Sequence, residues 1–251
     1  MPALLAILAL LVGCGPAEPT GTQLAPPTPE VLCANHASYA LLQALAPPEI
    51  PIECVLNGVA ASEFKPDRQQ LKRLQQAALV VLNGANLEGW SGRSNLPASR
   101  VVDSSKAIAE KLIQIKGKAH SHGAGGNHSH SEVNPYLWLD PVLLSAQAEA
   151  VGAALRTAFP LHADVVSQNE KQLLEELAQL NLSWQAFSAR AQETTLSGEH
   201  KALEYLARRY NLVFTGASQL ELDLLLQPNS NSTLIDRLQH NLSLLNAVIP
   251  N

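Results

Sequence analysis

From Val31 onward, short apolar runs alternate with amphipathic stretches. "EVLCAN", "IPIECVL" and "LVVLNG" are strand-length runs with little polar interruption, the pattern of strands buried on both faces. Between them lie "HASYALLQAL" and, behind a capping Asp67, "RQQLKRLQQA", where Leu71, Leu74, Ala77 and Ala78 make one helical stripe. A further strand, "RVVDSS", precedes a predicted helix over "KAIAEKLIQI". Strand, helix and strand in succession predict parallel βα units, so residues 28–142 read as a doubly wound α/β lobe. Helix-forming residues run from Ser145 to Ala158, and Pro160 interrupts them. The next stretch carries Leu173, Leu174, Leu177, Leu180 and Trp184 at spacings of 3 or 4. A helix of roughly 30 residues there extends about 45 Å, which suits a spine between two lobes. Residues 143–192 are therefore expected to be a helical linker. The remaining 59 residues, 193–251, read as strand "TTLSG", helix "EHKALEYLARRY", strand "NLVFTG" and final helix "STLIDRLQHNLSLLNAV". That is thin for a second α/β lobe with an interior of its own.

Composition narrows the class. A hydrophobic share of 46% supports a buried core, and 22 acidic against 17 basic side chains, with no Lys/Arg-rich run, leave no electrostatic footprint for nucleic acid. The opening "MPALLAILALLVGCG" is shorter than the roughly 20 residues of a membrane-crossing helix and ends in small residues, so residues 1–13 read as a secretory signal. Leu11-Val12-Gly13-Cys14 resembles a bacterial lipobox, which implies lipidation of Cys14, although the basic residues that usually open such a signal are missing. Residues 14–27, rich in Pro and Thr, read as a tether. An extracytoplasmic, lipid-anchored protein is the expectation, and that compartment permits disulfides. Cys33 and Cys54 each sit in a short strand-like run. Neighbouring parallel strands would bring them together as a disulfide, and two small buried apolar side chains explain them equally well.

The segment "KAHSHGAGGNHSHSE", residues 118–132, holds four of the eight histidines. His120, His122, His128 and His130 titrate near 6.5 when unperturbed, so their ring nitrogens are largely free to bind metal at neutral pH. Gly123, Gly125 and Gly126 let the two pairs fold toward one ion. Closing a loop costs roughly 1–2 kcal/mol per fixed residue, so binding of micromolar class is expected. A solvated connector with no specific ligand is the alternative.

The order "FKPDRQQLKRLQQAALVVLNGANLEGW", His-rich loop, "NPYLWLDP", "EHKALEYLARRYNL" resembles the zinc and manganese substrate-binding lipoproteins of ABC importers, across nearly the whole chain after the tether. The resemblance implies a two-lobed periplasmic-binding-protein-like fold with a long connecting helix and a shortened second lobe. It also implies a metal held between the lobes by three histidines and a carboxylate, with Zn²⁺ ahead of Mn²⁺ for such a donor set. Aligned on the family's motifs, Ser62 occupies the first histidine position, Tyr136 the second and His200 the third, and the carboxylate has no counterpart. A Ser hydroxyl is a poor zinc donor, and Tyr must lose a proton of reference pKa near 10 to bind well, so the inherited cleft is expected to be degenerate. The resemblance further implies a membrane permease as partner and a monomeric protein.

No G-x-S-x-G elbow, H-E-x-x-H helix or P-loop occurs, so no enzyme is expected and no catalytic residue is assigned. His36 reads as helix-start packing, and His162 and His240 as helix-surface residues. The reading from sequence is thus a zinc-binding importer component with a metal-gathering loop. An adhesion lipoprotein on the same scaffold and a decayed paralogue are the alternatives.

Overall fold

The structure is a computed structural model that describes residues 30–56, 58–116, 120–121, 127–128, 131–192, 194–197, 200–215, 222–225, 227 and 231–249. The expected signal, the tether and Cys14 lie outside these residues. Among the described residues no helix is long and apolar enough to cross a membrane.

Four parallel strands form the main sheet in the order β2 (Ile52–Cys54), β1 (Val31–Cys33), β3 (Leu79–Leu82), β4 (Val101–Asp103). Strand alternation divides their side chains between two layers. Val31, Cys33, Leu79 and Val81 enter one core, whereas Leu32, Val80 and Leu82 enter another with Val55, Phe64 and Leu74. Helix α1 (His36–Leu45) starts behind Asn35, whose side-chain oxygen accepts from Ser38 N at 2.6 Å. Helix α2 (Arg68–Gln76) starts in a capping box between Asp67 and Gln70.

The helix predicted over "KAIAEKLIQI" forms differently. Residues Ser104–Lys111 make a kinked 3₁₀ segment broken at Ile108 (φ −127°), and Gln114–Lys116 become strand β5. Tertiary pairing overrides the local preference, because β5 lies antiparallel to β8 (Ser131–Val133) and the Tyr205 hydroxyl accepts from Ile113 N at 3.0 Å. Beyond this stem, β6 (His120–Ser121) and β7 (Asn127–His128) form a second antiparallel pair.

The helical region holds α3 (Pro141–Ala158), a short 3₁₀ turn at Pro160, and α4 (Ala163–Arg190). At 28 residues α4 spans about 42 Å. Its buried side chains are Val166, Leu173, Leu177, Leu180, Trp184 and Phe187, so the stripe read from the sequence is the packed face. The second lobe contributes β9 (Thr195–Ser197) parallel to β10 (Val213–Thr215), α5 (His200–Tyr210) and α6 (Leu234–Asn246). It has no separate core among the described residues. Leu196, Leu203, Phe214, Leu238 and Leu242 join the cluster that contains α4 and one face of the main sheet.

Cys33 and Cys54 stand directly opposite each other in the β1–β2 register, and both are free thiols. The disulfide entertained from the sequence is thus not formed in the structure. Cys33 Sγ lies 3.6 Å from Glu53 O and 3.7 Å from Asn35 O, within reach of weak hydrogen bonds, and burial pushes its thiol pKa well up.

Candidate functional site

The carboxyl ends of β1 and β3 open into a cleft, the place where ligands bind in open parallel sheets. Its cavity of about 600 Å³ is lined by residues of the sheet ends, the β5–β8 stem, "NPYLWLDP", the start of α5 and the 225–227 segment. A wider groove of about 730 Å³ between α1, α4 and the start of α6 has no histidine or aromatic side chain in its wall.

One buried carboxyl group organises the floor of the cleft. Glu88, 3% exposed, accepts from Asn83 N at 3.0 Å, from Gly84 N at 3.1 Å and from Asn35 Nδ2 at 2.7 Å. It thereby ties the turn after β3 to the cap of α1, which explains the "LNGANLEG" spacing. Gly84 has φ +79°, and a Cβ there would lie 1.8 Å from Asp103 Oδ1, so no other residue fits. Ala85 and Asn86 continue the left-handed path with φ of 50° and 60° and reach the cavity wall. Burial pushes the Glu88 carboxyl up to about 7, against the hydrogen bonds that favour its ionised form.

The opposite wall comes from "NPYLWLDP". Asn134, fully buried, donates to Lys201 O at 2.7 Å and accepts from Tyr136 N at 3.0 Å, joining the first lobe to α5. Asp140 caps α3 and takes Arg209 Nε at 2.6 Å, a second tie to α5. Tyr136 and Trp138 form an aromatic pair with ring centroids 5.3 Å apart, and Trp138 Nε1 donates to Leu224 O at 3.0 Å. Leu225, fully buried at φ +55°, projects into the wall of the cavity.

The residues singled out from the sequence are distributed around this cleft. Ser62 and Tyr136 both line it, Ser62 from an exposed turn and Tyr136 half-buried. His200 opens α5 immediately before Lys201, itself a lining residue. His120 and His128 are cross-strand partners in the β6–β7 register, while His122 and His130 lie outside the described residues. Glu132 and Ile115, paired in the stem beneath that ribbon, both line the cleft. Among the described residues, no three His, Cys, Asp or Glu side chains converge as a metal cage. Asp223, an acidic side chain of the segment that passes behind the cleft, is held by Arg237 Nε at 2.6 Å and by Leu225 N at 2.8 Å.

Sequence reasoning passed over His36 as a site residue. Its ring lines the cleft, and its Nδ1 is buried with no hydrogen-bond partner. Burial, and secondarily the Arg237 charge, lower its pKa, which favours the neutral imidazole. The available signal was its position as the first helical residue after β1, at the carboxyl edge of the sheet.

Two α/β units packed along a long helix, with a cleft at the sheet's carboxyl edge, are the architecture of the two-lobed periplasmic-binding-protein-like fold. Residues 31–242 match the family described as "ZnuA: Zinc-uptake complex component A periplasmic", and the chain belongs to that family of substrate-binding transport proteins. The zinc-binding lipoprotein AdcA of Streptococcus pneumoniae is 24% identical over 199 residues, 77% of this chain and 39% of that protein. The periplasmic zinc binding protein TroA of Treponema pallidum superposes with a TM-score of 0.69 at 17% identity, covering 89% of this chain and 100% of the other. A mutant of the laminin-binding adhesin Lmb of Streptococcus agalactiae gives 0.71 at 20% identity, covering 88% and 99%. These structural likenesses establish the fold.

Proposed function

We propose that this chain is the extracytoplasmic zinc-binding component of a metal ABC importer, anchored through Cys14, which gathers zinc on its histidine ribbon. The cation is its cargo, delivered to a membrane permease, and manganese is the weaker candidate. The observation that carries this reading is the β6–β7 register, in which His120 stands opposite His128. Residues opposed in an antiparallel pair have Cβ atoms about 5 Å apart in general, a spacing compatible with two histidines sharing one ion at the roughly 2.0–2.1 Å typical of zinc–nitrogen bonds. His122 and His130 lie in the same stretch of sequence and double its number of imidazole donors. The stem below the ribbon borders the cleft through Ile115 and Glu132, which gives gathered zinc a short path inward. Family membership and zinc-binding relatives support the cargo. The departures at Ser62 and Tyr136, and the engagement of Asp223 by Arg237, support a cleft that no longer holds a bare ion tightly.

Calorimetric titration of the full chain with ZnCl₂ tests this. Binding of micromolar class, about −8 kcal/mol, is expected. It should be lost when the four loop histidines become Ser and kept in His200→Ala. Loss confined to His200→Ala would instead favour a cleft rebuilt around α5. No heat from the parent chain would end the metal reading in favour of an adhesive or decayed protein.

A further inference from the structure

The cysteine pair of the main sheet takes no part in the proposed zinc binding, yet its two sulfurs are placed as partners. Cys33 and Cys54 are directly opposed on the parallel strands β1 and β2, so both side chains leave the sheet on the same face, and both reach the same hydrophobic cluster. Neighbouring strands lie about 4.8 Å apart, within the roughly 4.4–6.8 Å between Cα atoms that a disulfide spans. The two thiols differ in access. Cys33 is fully buried, whereas Cys54 is half-buried on β2, the edge strand of the sheet. A hydrogen bond from the Cys33 thiol, reinforced by one from the Leu56 backbone, holds the Cys54 thiol below its ordinary pKa against the cost of burial. The thiolate is the reactive form, so Cys54 is the nucleophile of the pair and Cys33 stands behind it.

We propose that Cys33 and Cys54 form an oxidative modification site, converted by hydrogen peroxide from a dithiol into an intramolecular disulfide that staples β1 to β2. In the first step the Cys54 thiolate attacks one peroxide oxygen and the O–O bond breaks. Cys54 becomes a sulfenic acid, and the departing hydroxide takes up the thiol proton as water. In the second step the Cys33 sulfur attacks the Cys54 sulfur, the S–O bond breaks, and the hydroxyl leaves as water with the Cys33 proton. Two thiols and one peroxide thus give one disulfide and two waters; the sulfurs together lose two electrons and the peroxide gains them. A periplasmic setting, the one in the family's description, lets such a bond persist. The pair also adjoins the cleft. Cys33 Sγ lies 3.7 Å from Asn35 O, Cys54 accepts from the Leu56 backbone, and both Asn35 and Leu56 line the cavity. Oxidation therefore joins the two strand ends that run into the cleft wall.

The test uses the full chain carrying Cys14→Ser, so that Cys33 and Cys54 are its only thiols. The reduced protein is treated with hydrogen peroxide in native buffer containing EDTA, its free thiols are counted, and its unreduced peptides are mapped by mass spectrometry. Both thiols are expected to disappear together, with a peptide linking Cys33 to Cys54 that has lost two hydrogens, and dithiothreitol should restore both. Adding Cys33→Ser should halt the reaction at a Cys54 sulfenic acid, trapped by dimedone. Adding Cys54→Ser should leave Cys33 at least tenfold less reactive toward peroxide than Cys54 is in the Cys33→Ser chain. Persistence of both free thiols, a disulfide formed only between two chains, or equal trapping in the two single variants each overturns the proposal. The first two results come from the chain that keeps both cysteines, so they decide the matter even where a single variant fails to fold.

Discussion

In the first lobe, each of β1 and β3 buries alternate side chains on opposite sides of the sheet, into two hydrophobic clusters. In the second lobe, β9 and β10 form a two-stranded sheet whose buried residues Leu196 and Phe214 face one way, while Val213 is 57% exposed. The first sheet is sandwiched, and the second leans on α4. A lobe this small stays folded by sharing the interior of its neighbour, because a short segment cannot remove enough apolar surface from water alone. Trp184 is the hinge of that sharing. It lies 2% exposed on α4, stacked 5.5 Å from Tyr210 of α5 and edge-on to Phe187 at 5.6 Å.

The comparison is broken or sharpened most forcefully at this tryptophan. Trp184→Ala should cost about 3–5 kcal/mol. It should lower one melting transition detected alike by circular dichroism and near-ultraviolet signals. Separate melting of the second lobe would show that it has an interior of its own.

Next in size is the pH response of Glu88, which belongs to the first lobe only. Its folded pKa of about 7 lies above the ordinary 4.5, so the folded chain holds this proton more tightly than the unfolded chain. The associated stabilisation is full below pH 4.5 and disappears as pH rises through 7, a change of about 3 kcal/mol. Urea denaturation at pH 4.5, 5.5 and 7 should show a smaller loss with rising pH in Glu88→Gln than in the parent. Parallel slopes would mean that the floor of the cleft does not feel this proton.

The smallest effects come from the matched helix caps of the two lobes. Asp67 caps α2 in the first lobe and Thr233 caps α6 in the second, each through a capping box. Asp67→Ala and Thr233→Ala should each cost about 1 kcal/mol. With a shared core, both shift the same transition by similar amounts, and thermal melts that broaden only for Thr233→Ala would contradict it.

The site was only partly readable in advance. Tyr136 and Ser62 were placed through motif alignment, and both line the cleft. His36 was passed over because a histidine beginning a helix looks the same in sequence whether it faces solvent or a cavity. Glu88 was missed because an isolated acidic residue in a turn reads as solvated, and its burial depends on Asn35, 53 residues away. The segment after Lys106 was misread for a related reason. Its helical periodicity is real, but Gln114–Lys116 gains more from hydrogen bonds to β8 than from extending a helix.

Local order was written in the sequence itself: uninterrupted apolar runs specified the strands of the main sheet, apolar residues at spacings of 3 or 4 specified α4, and Asp67 specified where α2 begins. These depend on contacts between near neighbours, whose identities the sequence states directly. Tertiary structure alone decided that Cys33 faces Cys54 as a thiol, that Arg237 occupies Asp223, and that the imidazole of His36 borders a large cleft. Each follows from how distant segments pack, and packing determines which polar groups lose water and which find a partner.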